Sequence, residues 1–283
     1  MIFQKFLAKI LYFTLKMLSW KRKVVAANLK FVKPSLSQTE ISEFYSKLLR
    51  RLSKTAAEFV LGNAIYRKLP LELKNYPCKR RGKEFRIDQD SVEVLKKMKL
   101  GGFFLTAHYG NYEAIGHWFC RLGLPVAASY AKIHPNFLNA ALEKWLRSVN
   151  GTKYSVFIKS PRQILDLLDS GRLFCLLADQ DYRKKNAVPG EFLGKPVACN
   201  PIPAFILRHR PSTPVYLCFL RESATSSTLF AREIAAQPET LYANFHSLLE
   251  TLIRESPEAW FGWTHRRFLG RNKTSTIYSH CSK

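Results

Sequence analysis

The chain has 283 residues, enough for one large α/β domain with additional elements, and its 45 lysines and arginines against 21 acidic residues give a formal net charge of +24 at pH 7. This surplus indicates an anionic partner such as nucleic acid, a phospholipid surface, a phosphorylated substrate or an acidic protein, but the basic residues are spread along the chain without a helix-turn-helix, RNP-like or zinc-finger pattern that would favour nucleic acid. The six cysteines form no Cys-x-x-Cys pair, which argues against structural zinc and a disulfide framework and favours a reducing compartment.

The first predicted element is an amphipathic helix over residues 1–20. Its apolar sequence is interrupted by Lys5, Lys9 and Lys16, which fall within about 40° of one another on a helical wheel. A spanning helix needs about 20 mostly apolar residues without charge in the middle, and a secretory signal needs an uninterrupted apolar core and a cleavage site. The pattern favours residues 1–22 as a membrane-associated helix lying at the interface. Packing on the protein's own core and a spanning anchor are the alternatives.

Residues 23–83 are predicted to form a helical region followed by a basic linker. Ser37–Glu43 offers capping residues and first-turn acids, and Ile41–Leu61 has the apolar spacing of a helix. The basic run Lys79–Lys83 predicts an exposed linker. The third part, residues 84–283, is then expected to be an α/β domain.

From residue 84 onward, strand-like and helix-like segments alternate. The strand-like segments are Phe103–Ala107, Val126–Tyr130, Leu173–Ala178 and Val215–Leu220. The helix-like segments are Tyr112–Leu122, Asn136–Val149, Arg162–Asp169 and Ile202–His209. This alternation favours a mostly parallel sheet covered by helices. In such folds functional residues collect beyond the carboxyl ends of strands, and the residues that follow apolar runs here are His108, Asp179, Asp181 and Arg221.

The segment Gly102–Trp118 carries the strongest chemical signal. An apolar strand leads directly to His108, and Glu113 follows five positions later, about 140° away on a helical wheel. The two side chains can therefore meet only if His108 ends a strand and Glu113 opens the next helix. A carboxylate beside a histidine fixes its tautomer and stabilises the imidazolium, which suits deprotonation of a hydroxyl. The alternative is a buried histidine beside a chance acid.

Four segments resemble, in order, the motifs of bacterial lipid A late acyltransferases, within the wider glycerolipid acyltransferase group. They are the His-x-x-x-x-Glu box at His108–Glu113, the aspartate box in Leu176–Asp181, the Phe-Leu-Gly-Lys-Pro-Val segment within Val188–Val197, and the closing segment Pro257–Phe268. The resemblance covers roughly Leu100 to Phe268. Each box alone is weak, but four boxes in this order make a specific signal.

The resemblance implies an O-acyltransferase at the cytoplasmic face of the bacterial inner membrane. It would move a fatty acyl chain from acyl carrier protein to a hydroxyl of a Kdo-lipid A precursor, in lipopolysaccharide biosynthesis. The acyl carrier protein thioester is the expected acyl donor, and no other cofactor and no metal is expected. Nucleic acid is not an expected partner. One alternative is acylation of another lipid, such as glycerol phosphate or a mannosyl phosphoinositide, from acyl-CoA. Another is a catalytically idle, basic protein that binds membrane or nucleic acid.

The resemblance also implies roles for particular residues. His108 is expected to be the general base and Glu113 to orient it. Arg147 stands where the family carries an arginine, whose planar fork suits a phosphate or carboxylate, although a solvated helix-end arginine is the alternative. Asp179 resembles the family's aspartate and is expected to position Arg147 or His108, with Asp181 sharing the task.

Further residues are predicted to bind substrate. Asn111, with the backbone N–H groups that open the following helix, is expected to stabilise an oxyanion or hold a phosphate. Phe192 and Gly194 belong to the third resembling segment. A cationic cluster near the end of the chain is predicted to contact lipid phosphates; its residues are His265, Arg266 and Arg267. The alternative is that these are ordinary solvated charges.

A cysteine nucleophile is the rival mechanism. Cys120 lies on the helix after His108, but no nucleophile-elbow motif surrounds it. A thioester donor is already activated, so the acceptor hydroxyl can attack directly and no protein nucleophile is required.

Overall fold

The structure is a computed structural model that describes residues 2–66, 69, 72–74, 77–80, 82–130, 143, 146–149, 152–223, 225–235, 237–269, 276–279 and 281. The helices are α1 (Ile2–Met17), α2 (Arg22–Val32), α3 (Gln38–Val60), α4 (Gly62–Tyr66), α5 (Ser91–Met98), α6 (Glu113–Arg121), α7 (Pro161–Asp169), α8 (Ile202–His209) and α9 (Leu241–Glu255). The strands are β1 (Cys78–Arg80), β2 (Lys83–Ile87), β3 (Gly102–Thr106), β4 (Val126–Ser129), β5 (Ser148–Val149), β6 (Thr152–Lys153), β7 (Ser155–Val156), β8 (Leu173–Leu177), β9 (Val188–Phe192), β10 (Lys195–Cys199), β11 (Val215–Glu222) and β12 (Ser226–Ile234). Short 3₁₀ turns cover Pro257–Ala259, Phe261–Thr264 and Thr276–Tyr278.

Eight strands form the central sheet in the order β1-β2-β12-β11-β3-β8-β4-β7. The β1–β2 and β11–β12 pairs are antiparallel and the other neighbours are parallel. Side chains alternate across β3, so that Phe103 and Leu105 enter one core cluster and Phe104 enters another. The first cluster includes residues of α3, α8 and α9, and the second includes residues of α4, α5 and α6. Helices therefore cover both faces, and the predicted α/β fold with a mostly parallel sheet is confirmed.

The four strands predicted from apolar runs are present as β3, β4, β8 and β11, each within two residues of the expected bounds. The helix predicted over Asn136–Val149 is wrong at its end, because Ser148–Val149 forms β5 and pairs with β6. The sequence between β5 and β6 is Asn-Gly, which is a strong hairpin signal. Residues 136–142, 144 and 145 of that predicted helix lie outside the described residues.

The basic run Lys79–Lys83 is not the linker that its charge predicts. Lys79 and Arg80 belong to β1 and Lys83 begins β2; the two strands pair antiparallel, and β2 continues the sheet by pairing with β12. The hairpin stands at the edge of the sheet, where Lys79 is exposed. Exposed lysines on an edge strand discourage pairing with another chain, which gives the charge a structural role.

The N-terminal helix α1 packs on α3 and leaves much of its apolar surface uncovered. Tyr12 is its buried side chain, whereas the large exposed apolar side chains are Ile2, Phe3, Phe6, Ile10, Phe13 and Met17. The same helix exposes Lys5, Lys9 and Lys16. No helix within the described ranges is both long enough and apolar enough to cross a membrane.

Helix α3 begins where the sequence predicts. Ser37 accepts a hydrogen bond from the backbone N–H of Glu40, and the Glu40 carboxylate accepts one from the backbone N–H of Ser37. This reciprocal capping box satisfies two backbone donors at the helix start.

Candidate active site

The centre of the site is a hydrogen-bonded pair formed by His108 and Asp179. Nδ1 of His108 lies 2.8 Å from Oδ1 of Asp179, and the backbone N–H of His108 donates to Oδ2 over 3.1 Å. The Asp179 side chain is fully buried, while that of His108 is 15% exposed. Because an ionised carboxylate only accepts hydrogen bonds, we assign the imidazole proton to Nδ1. Nε2 of His108 is then the acceptor nitrogen of the ring, and the side-chain amide nitrogen of Gln180 lies within hydrogen-bond distance of it at 3.3 Å.

The sheet explains why these two residues meet. β3 and β8 are parallel neighbours in which Thr106 stands opposite Leu177. Continuing this register by two residues beyond both strands brings His108 opposite Asp179. A hydrogen bond of 3.0 Å from the Ala178 N–H to the Thr106 carbonyl holds the intervening position. The pair therefore lies at the carboxyl ends of adjacent parallel strands, where α/β folds place functional groups.

Trp260 completes the surroundings of the carboxylate. Its indole N–H donates to Oδ2 of Asp179 over 2.8 Å, and the tryptophan is fully buried. The same segment pairs with the backbone around His108, since the Phe261 N–H donates to the His108 carbonyl and the Gly110 N–H donates to the Ala259 carbonyl, each over 2.8 Å. Asp179 is thus held on one side by the ring it orients and on the other by an indole.

Gly110 is required by this close packing. Its φ is +57°, and a Cβ at this position would lie 2.8 Å from the Leu220 carbonyl oxygen. A side chain would be strained by the backbone conformation and would also push the loop away from β11. The loop after His108 can therefore be this tight only with glycine.

The electrostatics of the pair favour an ionised aspartate and a basic imidazole. Burial alone would raise the pKa of Asp179, but the His108 charge and the hydrogen bonds from His108 and Trp260 lower it to about 2. Burial alone would lower the pKa of His108, but the Asp179 charge, its hydrogen bond and the more distant Glu113 charge raise it above its usual value. A raised pKa makes the neutral imidazole a stronger base.

Glu113 does not make the contact with His108 that the sequence spacing predicts. It is the first residue of α6, as expected, but its Oε1 lies 3.3 Å from Nη2 of Arg147. The expectation that Glu113 orients His108 is therefore corrected, because Asp179 occupies Nδ1. Arg147 lies over the Tyr130 ring at 5.2 Å, and its buried Nη1 has no hydrogen-bond partner among the residues that the structure describes. It is consequently not a solvated surface arginine.

A cavity of about 400 Å³ opens beside the pair. Its polar lining includes His108, Glu113, Arg147, Tyr130 and Gln180. Its apolar lining includes Phe104, Ile115, Val126, Ala128, Cys175 and Leu177. The cavity therefore has polar and titratable groups on one part of its wall and hydrocarbon on another, as is usual for sites that bind small molecules.

Asn111 points away from this cavity, contrary to the sequence prediction. Its amide donates to Oε2 of Glu58 over 3.0 Å and to the Tyr66 hydroxyl over 2.8 Å, and the side chain is completely buried. Both donors are thus occupied and cannot serve an oxyanion. Asn111 instead fastens the loop between His108 and Glu113 to α3 and α4.

Glu58 belongs to a larger buried ionic network beneath that loop. Lys83 bridges Glu58 at 3.6 Å and Glu222 at 2.6 Å, and Arg51 contacts Glu222 at 3.2 Å. The carboxylates are at most 4% exposed, and Lys83 and Arg51 are each 14% exposed. The network joins α3, β2 and β11 under the active-site loop.

We expect Glu222→Gln to lower the free energy of unfolding by about 3 kcal/mol, because it leaves Arg51 and Lys83 without their shared buried counter-charge. Urea unfolding measures this change. The control is Glu93→Gln, which removes an exposed pair with Lys96 and should change stability by less than about 0.5 kcal/mol. A Glu222→Gln protein as stable as the control would contradict the assigned role.

Phe192, Asp181 and Arg267 form a second buried group. Phe192 is fully buried, with its ring centroid 5.4 Å from the Arg267 guanidinium. Nη1 of Arg267 lies 3.8 Å from Oδ1 of Asp181, and neither side chain is more than 2% exposed. Burial raises the pKa of Asp181 despite the nearby arginine charges. These three residues tie β9 to the C-terminal segment, and their contacts in this structure are with one another, so that their binding of substrate stays a prediction.

Gly194 lies in the turn between β9 and β10. Leu193 has φ +53° and Gly194 has φ +66°, the pattern of a type I′ hairpin turn, and nothing lies near a Cβ at Gly194. Its position is therefore explained by the hairpin, which the sequence analysis did not predict. The glycine does not line the cavity beside His108.

The three residues of the predicted cationic cluster have different environments; they are His265, Arg266 and Arg267. The His265 ring is 5.8 Å from the His108 ring and is exposed. Arg266 donates to the Cys281 carbonyl over 2.7 Å. Arg267 is fully buried, as described above, so it does not share a surface with His265 and Arg266.

The cysteine alternative receives no support from the geometry. Burial raises the pKa of Cys120 to about 11, and this residue does not line the cavity. Cys175 does line the cavity, but burial raises its pKa further. Thiolates are therefore scarce at neutral pH. No cluster of three or more His, Cys, Asp or Glu side chains suited to a metal ion occurs in the described part of the chain.

Trp260 and Gln180 are the residues of this site that the sequence analysis missed. Both fall inside segments that were recognised by resemblance, Pro257–Phe268 and Leu176–Asp181. A buried tryptophan needs an acceptor for its indole N–H, and this requirement was a usable signal. The side chain of Gln180, by contrast, is exposed and gives no comparable clue.

Comparison with known families gives one match. The family model described as bacterial lipid A biosynthesis acyltransferase matches residues 2–270. The matched stretch contains His108, Asp179, Trp260 and the cavity beside them. A search of curated proteins returned no match.

Proposed function

The chain belongs to the bacterial lipid A biosynthesis acyltransferase family and is an acyltransferase, and from this premise we propose that it transfers a fatty acyl chain from acyl carrier protein to a hydroxyl of a Kdo-lipid A precursor. The observation that carries the proposal is the histidine anchored by Asp179, with its unprotonated Nε2 beside a cavity of mixed lining. No protein nucleophile is needed, because a thioester is already activated.

His108 acts as the general base in this mechanism. The acceptor oxygen attacks the thioester carbonyl while Nε2 takes its proton, and Asp179 stabilises the imidazolium that forms. The tetrahedral oxyanion then collapses, the carbon–sulfur bond breaks and the imidazolium returns the proton to the thiolate. The products are the ester and the free thiol. The backbone N–H groups of Tyr112 and Glu113, which no side chain caps, are suited to hold the oxyanion.

The acyl chain occupies the apolar part of the cavity. Phe104, Val126 and Ala128 come from the central strands and Ile115 comes from α6, so hydrocarbon contacts surround the chain. Arg147 stands at the polar part with one unpartnered, buried guanidinium nitrogen. We assign this nitrogen to an anionic oxygen of a substrate, since a planar guanidinium holds such an oxygen while remaining bonded to Glu113.

Arg147→Lys is expected to lower kcat/KM by about 10–100-fold, because a charge-assisted hydrogen bond of about 1.5–3 kcal/mol is lost although the charge remains. The measurement is the transfer rate against acceptor concentration, with and without phosphate on the acceptor. Arg208→Lys, on the exposed end of α8, is the matched control. Wild-type kinetics for Arg147→Lys on the phosphorylated acceptor would remove the anion-binding role.

We also assign α1 to the cytoplasmic leaflet of the inner membrane. Its exposed apolar side chains, such as Phe3, Phe6 and Phe13, would enter the acyl region. The exposed lysines of the same helix would meet anionic headgroups. Packing against α3 is compatible with this arrangement because it uses another side of α1.

Reversing the charge of Lys5, Lys9 and Lys16 to glutamate should weaken binding to anionic vesicles by at least about 100-fold, since each lysine near such a surface contributes about 1 kcal/mol. Binding to neutral vesicles should change much less. Sedimentation with vesicles of the two compositions measures both affinities. Equal losses on both would mean that the lysines do not contact headgroups.

The function is tested with purified protein, labelled acyl thioesters and defined acceptors. We expect transfer from acyl carrier protein to the Kdo-lipid A precursor, with release of the carrier thiol. Faster transfer from acyl-CoA would replace the donor in the proposal. Faster transfer to glycerol phosphate or to a mannosyl phosphoinositide would replace the acceptor. Absence of transfer to every acceptor would reject it.

A further inference from the structure

A second cavity, of about 890 Å³, lies beside the turn between α1 and α2. Residues 18–24 form one wall, and Arg183 with residues 264–266 forms another. Its basic side chains are those of Lys21, Arg22, Lys23, Arg183, His265 and Arg266, and Cys281 also lines it. No acidic side chain is among the lining residues. The mechanism above does not use this cavity.

Much of the positive charge around the cavity is uncompensated. Across the described residues, no carboxylate lies within ion-pair distance of Lys21, Arg22 or Lys23, all of which are exposed. Arg183 has only a 3.8 Å contact with Asp181. The N-terminus of α2 has no side-chain cap at Lys21, so its partial positive charge adds to the same region. Such a concave, cationic surface favours a phosphate-bearing ligand.

His265 connects this cavity with the active site. It lines the second cavity, and its ring lies 5.8 Å from the ring of His108, which lines the first. Neighbouring histidine rings therefore line the two cavities. A ligand with its anionic group among the cations has a short path past His265 to the base.

An apolar surface adjoins the cationic one. Leu18 lines the second cavity and is 70% exposed, and Met17, at the end of α1, is 86% exposed. These residues continue the apolar surface of α1 toward the cations. A ligand with an anionic head group and a hydrocarbon chain is complementary to both surfaces. A globular acidic carrier protein is less complementary, because its convex surface does not enter a concave site.

We propose that this second cavity binds the phosphate-bearing polar head of the acceptor lipid and presents the acceptor hydroxyl to His108. The inference rests on the proposed acyl transfer and adds a subsite to it. The donor acyl group then occupies the first cavity and the acceptor arrives from the side of α1, so the two substrates meet at the histidine pair.

The test compares two triple variants in neutral detergent micelles, which remove the charge of the bilayer. Lys21→Gln/Arg22→Gln/Lys23→Gln neutralises the cavity, and Lys79→Gln/Lys99→Gln/Lys159→Gln removes equal charge from exposed positions that line neither cavity. We expect the cavity variant to raise the KM of the phosphorylated acceptor at least about tenfold, because contacts with a charged phosphate are lost. The KM of the acyl donor and the kinetics with a phosphate-free acceptor should stay at their wild-type values. The control variant should match wild type throughout.

Equilibrium binding of the phosphorylated acceptor, measured without a donor, separates this inference from the proposed function. Weaker binding by the cavity variant alone supports the subsite even in a preparation that shows no transfer. An increase in donor KM instead would assign the surface to the carrier protein and overturn the proposal. Equal losses in both triple variants, or with the phosphate-free acceptor, would also overturn it. The single variant Lys23→Gln repeats the comparison with a smaller effect if the triple variant fails to fold.

Discussion

Replacing His108 by alanine is expected to lower kcat/KM for acyl transfer by about 10²–10⁴-fold, which is the usual contribution of a general base. The substitution removes the nitrogen that accepts the hydroxyl proton and later protonates the thiolate. Initial rates with a saturating thioester donor measure the loss, and circular dichroism with urea unfolding verifies the fold.

His209→Ala is the matched control for that experiment. His209 is exposed at the end of α8 and bonds only the Phe205 carbonyl of its own helix. Its replacement should leave transfer unchanged. If folded His108→Ala retained more than about a tenth of wild-type activity, His108 would not be the base.

Asp179→Asn should cause a comparably large or larger loss, about 10⁴-fold, as the equivalent change does in Ser-His-Asp triads. An asparagine amide can donate to Nδ1, which would move the imidazole proton to Nε2 and block the base. It also removes the charge that stabilises the imidazolium. A variant with near wild-type kcat would show that Asp179 does not orient His108.

The pH profile of kcat/KM provides a second readout for the same substitution. His108 must be neutral to accept a proton, so activity rises as the pH passes upward through its raised pKa. Asp179→Asn removes the negative charge that raises this pKa, and the acidic limb of the residual activity should therefore move to lower pH. Asp181→Asn is the control, because Asp181 contacts Arg267 and Arg183 rather than His108. An unmoved limb in Asp179→Asn would contradict the assigned coupling.

The strands that frame the site could be predicted because their apolar runs are nearly continuous. β3 and β8 are buried on both faces, which produces the uninterrupted hydrophobic sequence that marks a central parallel strand. Because these strands could be predicted, His108 and Asp179 could be placed directly after their carboxyl ends. The strands of the β9–β10 hairpin escaped prediction because Pro189, Gly190 and Pro196 interrupt them.

The partner of the base could not be identified from spacing alone. Glu113 is near His108 in the sequence, but the order of strands puts β8 beside β3 and brings Asp179 closer. Strand order depends on long-range packing that one sequence does not state. The same limit applies to Arg267, which is indistinguishable in sequence from its neighbour Arg266 although only Arg267 is fully buried.

The backbone pairing around Trp260 has a consequence for how the enzyme becomes active during synthesis. The loop that holds His108 receives its clamping hydrogen bonds from residues about 150 positions later in the chain, and closing so long a loop comes late in folding. A ribosome-bound chain that ends before these residues lacks both clamping hydrogen bonds and the Trp260 indole that donates to Asp179. Catalytic competence is thus expected only after residues 259–261 have been synthesised and have packed against this loop.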